Sequence, residues 1–187
     1  MIAKLISYSK PSEFTTYDKD MPKNCQDLIA FCARVSNPSN QNNTETSEKL
    51  LNYLAKHKHW SPFEMVSACL EVETTRDIAR QFLRHRSFSF QEFSQRYADP
   101  TKDLNFVIRE CRPQDPSNRQ NSITIDNDPN IQLDLHKVEL ITEWQRRQHG
   151  VINRAKEVYQ WAIENGIAKE QARAVLPEGL TVSRLYV

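Results

Sequence analysis

Apolar residues recur along this chain with two periods, and the switches between them mark the expected elements. Ile2 to Tyr8 alternates well enough to predict an opening strand. Pro11 and the polar residues around Thr15 to Lys23 predict a loop. From Asp27 to Val35, the residues Leu28, Ile29, Phe31, Cys32 and Val35 share one helical face. Pro38 disfavours helix at Asn37, so that helix stops there. After an Asn/Ser/Thr-rich run, Thr44 or Thr46 stands as candidate N-cap of a helix carrying Leu50, Leu51, Tyr53 and Leu54. From Met65 to Thr75, Val66, Ala68, Leu70 and Val72 alternate with Ser67, Cys69, Glu71 and Glu73, which predicts a strand with one face buried. Thr74-Thr75-Arg76-Asp77 then opens a helix whose apolar residues are Ile78, Ala79, Phe82 and Leu83.

That helix runs into Arg84-His85-Arg86, and alternation resumes with Phe88 and Phe90 against Ser87, Ser89 and Gln91. In an extended segment Glu92, Ser94 and Arg96 fall on one face. Asn105 to Cys111, with Phe106 and Ile108, is a further strand candidate, and the proline-punctuated Pro113 to Pro129 reads as a surface excursion. A long helical pattern covers Ile131 to Glu164. Gly150 is a candidate bend within it, at about 1 kcal/mol relative to Ala. Trp144 and Trp161 read as packing or subunit-contact residues rather than stacking platforms. Gly166 is the expected C′ residue. A short helix stopped by Pro177 follows, and Thr181 to Val187 alternates as a closing strand.

Composition narrows the picture. A length of 187 residues suits one domain, 1–187, with a sizeable core. Lys plus Arg (25) balance Asp plus Glu (24), so no global field points to nucleic acid or an anionic membrane, and arginine clusters must act locally. No membrane span or secretory signal is expected. Cys25, Cys32, Cys69 and Cys111 have no zinc-like spacing and suit buried thiols in a reducing cytoplasm. His57 and His59, two apart, cannot share a helix face, and no third ligand is near, so no metal site is expected. All three glycines lie after residue 149, so a glycine-rich phosphate loop is absent and any nucleotide must be held by side chains.

The chemistry is concentrated between Arg84 and Tyr97. Cations are favoured at a helix C-terminus by about 0.3–1 kcal/mol each. That alone does not account for the carboxylate, hydroxyl and guanidinium of Glu92, Ser94 and Arg96. Guanidinium forks pair with phosphate or a carbonyl edge. The pattern Arg-His-Arg, seven residues, Ser, then x-Arg-Tyr resembles the signature of the flavin-dependent thymidylate synthases. The element His59-x-Ser61-x-Phe63-Glu64 and the sequence Glu170-x-x-Arg173-x-x-Leu176-Pro177 are similar to two further elements of that family.

The resemblance implies an α+β fold with a central, mostly antiparallel sheet and flanking long helices. It implies reductive methylation of dUMP to dTMP, with methylenetetrahydrofolate giving the carbon, reduced FAD the hydride, and NADPH reducing the flavin. By the same resemblance Arg173 and His59 are catalytic. Gln81, Arg84, Glu92, Ser94, Gln95, Arg96 and Arg173 bind dUMP, and Ser36, Ser61, Glu64, Arg84, His85, Arg86, Gln91 and Glu92 hold FAD. It further implies a cytoplasmic homotetramer, bacterial or in the host cytoplasm if viral, with sites shared between subunits. Two departures stand out. Gln91 replaces the Asn of many members, and the family's Asn-x-x-x-x-Arg region and final helix are not in these residues, so the domain is expected to be C-terminally short. Ser94 reads as a ligand rather than a nucleophile, since it lacks a histidine base. Two rival readings are an arginine-aromatic RNA surface of Arg84, Arg86, Arg96, Phe88, Phe90 and Tyr97, and a folded inactive remnant.

Overall fold

A computed structural model describes residues 1–12, 22–125 and 135–187. The loop expected over residues 15–21, the end of the excursion at Pro129 and the first turn of the long helix from Ile131 lie outside them. In chain order come β1 (Ile2–Tyr8), α1 (Cys25–Ala33), α2 (Ser47–Lys56), β2 (Ala68–Thr75), α3 (Arg76–Phe82), β3 (Gln91–Glu92), α4 (Pro100–Asp103), α5 (Leu135–Glu164), α6 (Lys169–Ala172) and β4 (Val182–Tyr186). The sheet order is β1-β2-β4-β3. The architecture is α+β with an antiparallel sheet, as expected. The residues form two compact units, Ala3–Glu71 and Met1–Ile2 with Val72–Val187.

In the first unit, the Asn24 side chain caps α1 by accepting from the Asp27 amide at 2.9 Å. Buried Asp27 in turn accepts from the Ser47 hydroxyl at 2.9 Å, which ties the start of α2 to α1. Ile29, Ala30 and Leu54 are the buried apolar residues of the two helices. Thr46 takes the N-cap position of α2, but its hydroxyl accepts from buried Arg34 at 2.8 Å instead of capping. The Arg34 guanidinium also bonds the Asn43 carbonyl, so a buried cation organises the 34–46 loop. At the end of α2 the His59 amide bonds the Leu54 carbonyl (2.9 Å) and the Lys58 amide bonds that of Ala55 (3.1 Å). This is a Schellman turn with Lys58 at C′, at φ +58°.

In the second unit, α3 packs on β2 and β4 through Val72, Ala79 and Leu185, with Phe82, Phe90 and Val187 against them. Tyr159 and Ala162 of α5 meet Ala172 and Leu176, with Phe106 and Ile163 beside them. Helix α5 runs unbroken through Gly150 and ends in a second Schellman turn. The Ile167 amide bonds the Ala162 carbonyl, and Gly166 sits at φ +77°. A loop around Asp115 accepts bonds from Ser117 and Asn121, and these hold its carboxyl down at about 2.

Three expectations need correction. The apolar face of β2 is buried only at its end: Val72 is buried, whereas Ala68 and Leu70 are exposed. Asn105 to Cys111 is not a strand. Phe106 makes one isolated antiparallel bridge with Thr181. The backbone of Arg109 is then taken by the buried Gln148 amide, which accepts from its N–H at 2.7 Å and donates to its carbonyl at 2.9 Å, so the ladder cannot continue. The long helix keeps Trp144 on this segment, with its indole donating to the Arg109 carbonyl at 3.1 Å. The four cysteines are free and half-buried rather than buried.

Candidate active site

The site elements of the second unit are built outward from α3. A loop from the other end of the sequence seats its first turn: the Arg76 amide bonds the Thr181 carbonyl (3.0 Å) and the Asp77 amide that of Glu178 (3.4 Å). Gln81 is exposed on the helix. At its C-terminal end the Arg84 amide bonds the Gln81 carbonyl and the His85 amide that of Phe82, so the chain turns away there. The His85 ring then stacks on Phe88, centroids 3.9 Å apart and planes 11° from parallel. Its Nδ1 accepts from the Ser87 amide at 3.3 Å, which fixes the ring. Arg84 and Arg86 are exposed on either side, and among the described residues neither has an ion-pair partner.

β3 pairs antiparallel with β4, with Gln91 opposite Tyr186 and Glu92 opposite Leu185. One more bond, from the Phe93 amide to the Arg184 carbonyl at 2.8 Å, ends the ladder. The expected extended face of Glu92, Ser94 and Arg96 does not form. Ser94 opens a turn in which the amides of Tyr97 and Ala98 both bond its carbonyl at 3.1 Å, and its Oγ accepts from the Arg96 amide at 3.4 Å. The next β4 amide on this side, that of Val182, already bonds the Asn105 carbonyl at 3.1 Å, so the segment closes on itself. Gln95, at the turn's centre, is buried, and its Nε2 has no hydrogen-bond partner among the described residues.

The turn brings the two arginine motifs together. Arg96 Nε lies 4.0 Å from a Glu170 oxygen and its guanidinium stands 5.7 Å over the Tyr97 ring. Lys169 Nζ donates to the Tyr97 carbonyl at 2.9 Å. Arg173 follows α6 and donates from Nε to the Glu170 carbonyl at 3.2 Å. Arg96, Glu170 and Arg173 therefore share one edge of the unit.

Glu92 is held from behind. Ser183 Oγ donates to its Oε1 at 2.7 Å, and Arg76 Nη1 is 3.7 Å from the same oxygen. Arg76 also reaches Glu178 at 3.3 Å, and Arg80 grips Glu178 at 2.5 and 3.0 Å. The Arg80 hydrogen bond, with the charge of both arginines, holds the Glu178 carboxyl below its ordinary range. Sequence reading missed Arg76, Ser183 and Glu178. One signal was present: arginine at the first residue of a helix opposes the macrodipole, which calls for carboxylate partners from elsewhere.

Ser36, His59, Ser61 and Glu64 lie in the first unit, and all four are exposed. Ser36 follows α1. His59 follows the Lys58 turn with its ring 6.3 Å from Tyr53 and 6.2 Å from His57, centroid to centroid. Ser61 and Glu64 belong to a 3₁₀ turn, Ser61–Met65, opened by Pro62. Among the described residues no three His, Cys, Asp or Glu side chains cluster as a metal would require.

The fold and these motifs define the class, and comparison with known proteins agrees. The family model described as thymidylate synthase complementing protein matches residues 19–187. This chain belongs to that family. It is 45% identical over 177 residues to a probable flavin-dependent thymidylate synthase of Paramecium bursaria Chlorella virus 1, covering 95% of this chain and 74% of the relative. It is 44% identical over 188 residues to the flavin-dependent thymidylate synthase of Synechocystis, covering 100% of this chain and 78% of the relative. Among solved structures it resembles a UMP/dUMP methylase, PolB, from Streptomyces cacaoi, bound with 5-Br dUMP. The TM-score is 0.70 at 26% identity, covering 99% of this chain and 70% of that one.

Proposed function

We propose that this chain is a flavin-dependent thymidylate synthase that methylates dUMP to dTMP, taking the carbon from methylenetetrahydrofolate and the hydride from reduced FAD, with NADPH as reductant. The observation that carries the reading is the meeting of Arg96 with Glu170 and Arg173, which joins two family motifs at one edge. The relatives named above are flavin-dependent thymidylate synthases, and the PolB structure holds a brominated dUMP.

The residues fit an anionic nucleotide and a flavin. Arg84 and Arg86, exposed and without an ion-pair partner among the described residues, suit a flavin pyrophosphate, with His85, Gln91, Glu92, Ser36, Ser61 and Glu64 as further FAD ligands. Bound FAD supplies the hydride chemistry, and the protein supplies orientation and charge. Gln81, Arg84, Glu92, Ser94, Gln95 and Arg96 bind the nucleotide. The exposed Arg96 guanidinium suits its phosphate, beside the Ser94 hydroxyl. Arg173 faces a uracil oxygen and stabilises charge there as the ring is activated, an effect worth about 2.7–4 kcal/mol for a single donor. His59 would act as a catalytic residue beside a bound flavin. Exposed apolar residues along α5, Leu135, Trp144, Val151 and Trp161, support a homotetramer with shared sites. Among the described residues no helix is long and apolar enough to cross a membrane, and the proposed compartment is the cytoplasm of a bacterium or of a virus-infected host.

The test is the absorption spectrum of the purified protein in the flavin region, with and without dUMP, beside complementation of a thymidine auxotroph. Flavin bands that shift on adding dUMP, with growth restored, support the reading. A colourless protein that binds RNA with steep salt dependence overturns it.

A further inference from the structure

We infer that Ser183, Arg76 and Glu178 are positioning residues for Glu92, fixing which of its oxygens is offered to the nucleotide. This rests on the reading of Glu92 as a nucleotide ligand. Among the described residues both polar contacts of the Glu92 carboxylate fall on Oε1: the Ser183 hydroxyl at 2.7 Å and Arg76 Nη1 at 3.7 Å. Oε2 takes part in neither. The two groups behind Glu92 are buried, Ser183 1% and Arg76 7% exposed, whereas the Glu92 side chain is 21% exposed. The carboxylate is thus anchored on its inner oxygen with its outer oxygen left to an incoming donor.

The Arg76 guanidinium is divided between two carboxylates. A guanidinium pairing with a single carboxylate favours a bidentate fork, and a buried one requires compensation. Here the nearer partner is Glu178 at 3.3 Å, itself held by Arg80 at 2.5 and 3.0 Å. Glu178 follows the second arginine motif and Glu92 lies in the first, so Arg76 links the two. By drawing Arg76 towards itself, Glu178 keeps the guanidinium from closing on both oxygens of Glu92. Ser183 then sets the carboxylate's rotation with one short, directional bond.

The experiment titrates dUMP into the flavin-loaded full chain by calorimetry, for the unaltered protein and for Ser183→Ala, Ser183→Thr and Glu178→Gln, with a thermal melt of each. Ser183→Ala is expected to weaken dUMP binding about tenfold, as for one lost hydrogen bond to a charged group. In turnover, KM should rise more than kcat falls. Ser183→Thr, which keeps a hydroxyl, should restore binding. Glu178→Gln should weaken dUMP in the same direction. If Ser183→Ala and Glu178→Gln fold and bind dUMP like the unaltered protein, the network only holds the sheet together and the inference is wrong. If affinity changes only in step with the melting temperature, it is equally wrong. An unaltered flavin-loaded protein that binds no dUMP overturns the functional reading itself, and this inference with it.

Discussion

Arg96 and Glu170, from motifs far apart in sequence, approach to 4.0 Å with their side chains 56% and 54% exposed. An exposed pair of this kind contributes little to stability, typically about 0–1 kcal/mol. Its value is positional: it aligns the Ser94 turn with α6, and Lys169 reinforces the join by donating to the Tyr97 carbonyl.

Glu170→Ala is therefore expected to leave the denaturation midpoint nearly unchanged while lowering turnover, because Arg96 loses its neighbour. Arg173→Ala should cut kcat by about a hundred- to a thousandfold, the usual loss for one charge-stabilising donor. Steady-state kinetics beside urea unfolding checks both. Unchanged kcat in Arg173→Ala would remove that residue from the chemistry.

Glu178 makes stability sensitive to acid. Its hydrogen bond from Arg80, with the charges of Arg76 and Arg80, depresses its folded pKa. A carboxylate depressed in the folded state contributes stability above its unfolded value of about 4.3. That contribution is lost as pH falls through the lower folded value. Glu178→Gln should lower the melting temperature near neutral pH and flatten the acid limb of the melting curve. Parallel curves for the two proteins between neutral pH and pH of about 3 would refute this.

Lys58 sits in the left-handed region at φ +58°, where a side chain costs about 1 kcal/mol. Lys58→Gly is expected to stabilise the protein by about that amount, since the C′ position of this turn favours glycine. Chemical denaturation measures the change. A loss of stability would mean that the lysine side chain compensates for its backbone.

Tyr159 is fully buried, and its hydroxyl has no hydrogen-bond partner among the described residues. Burial, then the charges of Asp99 and Asp103, push its pKa up, so the phenol stays neutral. Tyr159→Phe removes an unsatisfied polar atom and is expected to be neutral or stabilising by about 1 kcal/mol. Tyr159→Ala should cost about 3–5 kcal/mol through the cavity it leaves. A large loss in Tyr159→Phe would reveal a hydroxyl partner.

Much of the fold was legible along the chain. The opening and closing strands, the helices carrying Ile29, Leu54 and Ala79, the long α5 and the Gly166 stop all follow from local period and local turn chemistry. The motif residues were equally legible, because their types and spacing are written in order. Less legible was where a ladder ends. The extended face of Glu92, Ser94 and Arg96 gave way to a turn because the Asn105 carbonyl takes the next β4 amide, Val182, and the Asn105 segment stopped being a strand because Gln148 occupies the backbone of Arg109.

The sequence by itself determined which segments are helical or extended and which side chains carry charge, because both depend on a residue and its near neighbours. The tertiary structure alone decided that Arg76 divides itself between Glu92 and Glu178, that Ser183 grips one oxygen of Glu92, and that Arg96 meets Glu170. Those pairings join residues distant in the chain, and only the packing of α3 on the sheet and of α6 beside the Ser94 turn brings them within hydrogen-bond or ion-pair range.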